Sequence, residues 1–131
     1  MQCYFNLKNS PPIARIDGGN ARTIHYHATG NEPLVLNASS SIDQNDPWDP
    51  QLTFDWNYKI DGTGPSYPCS GISTSSCTAS WIEVDVHHLD RKKKYAFHVD
   101  VHSNGPNKMA TSATAVQTIN IVEEGLEIIV Q

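Results

Sequence analysis

Apolar and polar residues alternate along much of this chain with a period of two, and the 3.6-residue period of a helix is nearly absent. Leu52, Phe54, Trp56 and Tyr58 fall on one side of an extended segment, with Thr53, Asp55, Asn57 and Lys59 on the other. Ile82, Val84 and Val86 alternate with Glu83, Asp85 and His87, and Tyr95, Phe97, Val99 and Val101 alternate with Ala96, His98, Asp100 and His102. Such segments are half-buried strands, one face in a core and one in water. Weaker strand signals cover 13–16, 23–27, 33–36 and 113–122, and the tail EEGLEIIVQ alternates again at Leu126, Ile128 and Val130. Turn clusters separate them: DGGN at 17–20, ATGNEP at 28–33, DGTGP at 61–65, HHLDRKKK at 87–94 and SNGPNK at 103–108. About seven short strands with this punctuation predict an all-β, immunoglobulin-like β-sandwich of two antiparallel sheets. The sandwich is expected over 13–122, with 1–12 as a flank or linker and 123–131 as a final strand or a link to a next domain.

The total of 131 residues allows one such core and no second. A net charge of −5 with neutral histidines argues against general nucleic-acid binding. No run approaches the roughly 20 apolar residues of a membrane span, so this stretch is not expected to insert directly. The start, MQCYFNLKNSPP, has neither the basic nor the hydrophobic region of a signal peptide.

Three cysteines change the picture. Cys69 and Cys77 bracket the polar loop GISTSS, of the kind a disulfide closes. Loop-closure entropy over so few residues gives ~2.5 kcal/mol, and the bond implies an oxidising compartment. Zinc is the rival, but it asks for about four ligands, and this pair has no Cys or His close by. Cys3 is left over, either free or paired with sequence elsewhere.

Catalytic signatures are missing. There is no Gly-x-Ser-x-Gly elbow, no His-Glu-x-x-His and no glycine-rich phosphate loop ahead of a helix, so no catalytic residue and no required cofactor is expected.

The order VLNASSSID, DP, LTFDW, then CSGISTSSC, then WIEVDVHHLDRKKKYAFHVDVHSNG resembles the PKD and REJ (receptor for egg jelly) modules of polycystin-like surface proteins. The matching features are the Ala-Ser-x-Ser-x-Asp turn, the aromatic-x-Trp strand at Phe54 and Trp56, the pair Cys69/Cys77, Leu89, and the Tyr95–Val101 strand. PKD modules usually follow the tryptophan with an Asp-Phe-Gly-Asp-Gly-like turn. Here the chain reads NYKIDGTGPS, which moves it toward the REJ type. The resemblance implies an extracellular module of a membrane-anchored or secreted protein, with Trp56, Phe54, Tyr95 and Phe97 as core anchors. Its implied role is adhesion or force-bearing spacing, with neighbouring domains of the same chain and a protein or glycan ligand at the cell surface as partners.

Within that setting the segment 37–49 carries two readings. Asn37, Ser39, Asp43, Asp46 and Asp49 offer hard oxygens, and calcium takes six to eight of them. Some PKD modules bind calcium near this junction. The competing reading, which the absence of EF-hand ligand order favours, is that Asp and Ser side chains cap a turn. Asn37-Ala38-Ser39 is also an N-glycosylation sequon; a glycan and a calcium ion would compete for Asn37, and a side chain bonded inward to hold the loop would take neither. His98, Asp100 and His102 share an outward face, as do His25 and His27. Same-face neighbours lie nearly 7 Å apart, so a solvated surface is expected over a metal patch. The run Arg91–Lys94 is read as a soluble turn, Trp56 as a core anchor, and Trp48 and Trp81 stay open between contact residue and core lid.

Overall fold

The structure, a computed structural model, describes residues 10–26, 32–44, 52–72, 76–104 and 110–123. Seven strands occur among them: β1 (Ala21–Tyr26), β2 (Leu34–Asn37), β3 (Leu52–Ile60), β4 (Thr63–Pro68), β5 (Trp81–Val84), β6 (Tyr95–Asn104) and β7 (Ala110–Glu123). They form a five-stranded sheet ordered β1-β7-β6-β3-β4 and a two-stranded sheet, β2-β5. This is the expected β-sandwich.

Alternation places the core. Leu34, Leu36, Ile82 and Val84 of the small sheet are fully covered, as are Trp56, Phe97, Val99, Val101 and Ile119 of the large one. Burying an aliphatic or aromatic side chain of this size removes about 1.5–3 kcal/mol of unfavourable hydration each. Tyr95 is also buried, and the Tyr58, Tyr95 and Phe97 rings lie 5.7–6.4 Å apart across β3 and β6. Phe54, expected as an anchor, is half-buried and packs against the edge of the core.

The small sheet is widened by the chain ahead of β1. Ile13 bridges Ile42 in antiparallel fashion, and the Asp17 N–H donates to the Asn37 carbonyl at 2.8 Å. The predicted strand at 13–16 is thus reduced to a single bridge. Gly18 and Gly19, at φ 99° and 88°, then carry the chain across to the other sheet, a conformation that favours glycine. Buried Gln117 on β7 holds that crossing, its Nε2 donating to the carbonyls of Asp17 and Gly19 at 3.0 and 2.9 Å.

The crossing corrects one expectation. The two sheets are not wholly antiparallel, because β1 enters beside β7 running the same way, Ala21 against Thr118 through Tyr26 against Glu123. The second departure is β4. The pair Asp61-Gly62, both at positive φ, makes a two-residue hairpin turn, and Thr63–Pro68 returns along β3. The remainder of DGTGP is strand, with Pro65 on an outer strand that tolerates it.

Candidate functional site

The opening candidate lies at the end of β2. The Ser39 N–H donates to Asn37 Oδ1 at 2.9 Å, an Asx-turn that starts the segment after β2. Ser40 donates to Asp17 Oδ1 at 2.9 Å, and Ser41 Oγ accepts from the Arg15 N–H at 3.0 Å. Asp43 does not face water. It is 1% exposed and accepts from the buried Ser103 hydroxyl at 2.8 Å. A buried carboxylate is held by such bonds, and here the bond joins the segment after β2 to the end of β6. Asp46 and Asp49, the other two candidate ligands, lie outside the described residues, as do Trp48 and Cys3. Among the described residues no group of three or more His, Cys, Asp and Glu side chains is arranged to hold a metal ion.

The second cluster surrounds Trp56. Cys69 and Cys77 form a disulfide with Cα atoms 5.9 Å apart, Cys69 fully buried at the start of a 3-10 turn over Cys69–Gly71. Beyond Pro68 the strand β4 no longer covers β3, and the segment after the disulfide takes its place. The Trp56 main-chain N–H donates to the Cys77 carbonyl at 3.0 Å, and its indole N–H to the Ala79 carbonyl at 2.9 Å. The bridge and the tryptophan therefore close one edge of the large sheet together.

The outer face of that sheet carries the histidines. Asp55 stands opposite Asp100 and Asn57 opposite His98, which puts β3 beside β6 as expected. Asp100 accepts from the Thr114 hydroxyl at 2.6 Å and from Asn57 Nδ2 at 3.5 Å. These groups line a shallow depression of about 450 Å³ with Lys59 and Pro68. Within it the side chains bind one another across the strands, as on a solvated face. His25 is on β1, separated from β6 by β7, and His27 lies outside the described residues.

The basic run is a tight turn. The Lys92 N–H donates to Asp90 Oδ1, the Lys94 N–H to Asp61 Oδ1, and Tyr95 Oη accepts from the Asp90 N–H. Arg91 lies 4.4 Å over the Tyr26 ring, and His87 meets the same ring edge-on at 5.2 Å. Asp85 caps the short 3-10 turn Val86–His88, accepting from the His87 N–H at 2.9 Å. That bond, with a second from the His87 ring, lowers the Asp85 carboxyl below its ordinary value of 3.8. Sequence reasoning missed this bracket around Tyr26, because its partners are distant along the chain. Trp81 proves to be an exposed residue, at 43%, opposite Asn37.

The REJ domain family model matches residues 1–130. A solved protein from Saccharophagus degradans, described as a nucleoside hydrolase-related hypothetical protein associated with carbohydrate metabolism, shares the fold. Its TM-score is 0.64 at 17% identity, over 91% of this chain and 27% of that one. No curated protein sequence matches the chain.

Proposed function

Because the chain belongs to the REJ domain family, whose members are extracellular modules of larger proteins, we propose that it serves as a non-catalytic, force-bearing spacer in a cell-surface protein. The observation that carries this reading is the parallel pairing of β1 with β7. Tension entering ahead of β1 and leaving after β7 pulls two parallel strands past each other along their length. All six partnered positions are then loaded together, whereas a hairpin pulled at its open end loses its bonds one at a time. The bridge of Ile13 to Ile42 and the Gln117 bonds to Asp17 and Gly19 add resistance just upstream. Partners in this reading are the neighbouring domains of the same chain, with a protein or glycan ligand at the cell surface. Pulling the module in two directions tests it. Tension applied ahead of β1 and behind β7 should need a clearly larger force than tension applied across the open end of the β6–β7 hairpin, and equal forces would refute the reading.

A calcium-stiffened accessory domain of a secreted enzyme or adhesin is the alternative. It draws on the carboxylates after β2 and on the fold's occurrence as 27% of a chain associated with carbohydrate metabolism. A melting curve that rises at millimolar calcium would favour it over the plain spacer.

A further inference from the structure

We infer that Asn37 carries an N-linked glycan whose first sugars lie against the exposed indole of Trp81. The inference rests on the extracellular reading above, since the modification belongs to the secretory route. Three observations converge on this one position.

The first is chemical. Asn37-Ala38-Ser39 has the acceptor order, and Ser39 is exposed. The second is conformational. The Asx-turn occupies Asn37 Oδ1 with the Ser39 N–H, while Nδ2 has no hydrogen-bond partner among the described residues. The atom that must react is therefore the unengaged one on a half-exposed side chain. In the transfer, the anomeric carbon–oxygen bond of a lipid-diphosphate-linked oligosaccharide breaks and a bond from that carbon to Nδ2 forms. The lipid diphosphate leaves with the electron pair, and one Nδ2 proton passes to a base of the membrane oligosaccharyltransferase.

The third observation concerns what the sugar would meet. Leu34 and Leu36 point inward, so Val35 and Asn37 point away from the core. Trp81 is the register partner of Asn37, and Val35 pairs with Glu83. Directly opposed residues on one face have Cβ atoms about 4.5–5.5 Å apart. Trp81 and Val35, exposed by 43% and 39%, thus form an apolar strip beside the amide nitrogen. The C–H face of a pyranose ring covers such an indole, and an Asn-linked sugar is delivered there without any search. The glycan explains why a bulky apolar residue stands on the solvent side of a two-stranded sheet.

The test expresses the full chain through the secretory pathway of a eukaryotic cell, beside Asn37→Gln, Ser39→Ala and Trp81→Thr. The secreted wild type should carry one glycan, removed by peptide-N-glycosidase and absent from the first two variants. Enzymatic deglycosylation should lower the melting temperature of the wild type by about 3 °C. It should leave that of glycosylated Trp81→Thr nearly unchanged. A chain that is secreted and disulfide-bonded but bare at Asn37, whether monomeric or self-associated through Val35 and Trp81, overturns the inference alone. Equal melting shifts with and without Trp81 overturn the stacking. A chain retained in the cell with Cys69 and Cys77 reduced overturns the extracellular reading as well.

Discussion

The indole N–H of Trp56 donates to the Ala79 carbonyl at 2.9 Å, joining a fully buried aromatic of the large sheet to the segment just past the disulfide. A carbonyl that loses its donor keeps its desolvation cost as far as water cannot reach it, and Ala79 is half-buried. Trp56→Phe retains a ring but strips that donor, so it should destabilise the fold by about 1–3 kcal/mol. Trp56→Ala adds a large cavity, and the loss should reach about 3–5 kcal/mol. Urea unfolding of the two variants measures both. A Phe variant as stable as the wild type would show that the Trp56–Ala79 bond contributes nothing net.

Reducing the Cys69–Cys77 bridge, or replacing both residues by Ala, should cost ~2.5 kcal/mol from the freed unfolded chain. Because Cys77 also supplies the carbonyl to the Trp56 N–H, the segment 76–80 should loosen first. Amide exchange at Trp56 should accelerate ahead of exchange at Val99. Uniform acceleration across the sheets would indicate that the bridge acts on the whole fold alone.

The Asp43–Ser103 pair should behave as a buried side-chain hydrogen bond. Ser103→Ala removes one donor to a carboxyl group that is 1% exposed, at about 1–3 kcal/mol. If the pair, and not an ion, orders the chain after β2, millimolar calcium should leave the wild-type melting temperature unchanged. A calcium-dependent rise that survives in Ser103→Ala would favour the ion.

Asp85 should give the fold an acid-sensitive corner. Its carboxyl is held below 3.8 chiefly by the His87 N–H and then by the His87 ring. A folded value below the unfolded one contributes stability above the unfolded value, and this is lost as the pH falls through the folded one. The effect belongs to the range below about pH 4 and is absent near neutrality. An NMR titration of the Asp85 carboxyl should show a midpoint below 3.8, and Asp85→Ala should flatten the acid limb of the stability curve. A midpoint at or above the ordinary value would remove the cap from the account.

Strands were legible where alternation is long, but 82–87 alternates too, and there β5 ends at Val84 and Val86–His88 is a 3-10 turn. The strands over 52–59 and 95–102 follow from period two alone, and so does the interior position of Trp56, Phe97 and Val99, whereas β6 runs on through Ser103 and Asn104, which read as turn. Pairing direction was not legible, because alternation says which face is buried and nothing about whether a neighbour runs with or against the strand. The parallel β1–β7 edge depends on the Gly18-Gly19 crossing and on Gln117, about a hundred residues further on. The strand β4 was hidden for a local reason. Gly64 and Pro65 read as loop, yet an outer strand tolerates both, and Asp61-Gly62 alone makes the turn. At the candidate site, Asn37 forms the cap where Asp and Ser were expected to, but a turn capped by side chains after β2 was readable. The burial of Asp43 was not, since its partner Ser103 is sixty residues away. The same distance in sequence hid the Arg91 and His87 contacts on Tyr26.

Those contacts sit at the far end of β1, where Tyr26 pairs with Glu123. Arg91→Ala removes a cation–π contact of roughly 0.5–1 kcal/mol and should speed amide exchange at Tyr26 more than at Phe97. Unaltered exchange at Tyr26 would mean that the arginine merely rests on the ring.

The spacer account is tested most directly by single-molecule stretching from the N-terminal side of β1 to the C-terminal side of β7, in the wild type and in Thr23→Pro and Ile24→Pro. Adjacent residues of a strand aim their N–H groups to opposite sides, so one of the two prolines must remove a donor from the β1–β7 ladder. The account predicts a single high-force unfolding event in the wild type and a marked drop in one proline variant. Low, gradual lengthening of the wild type, or a peak indifferent to both prolines, would contradict it.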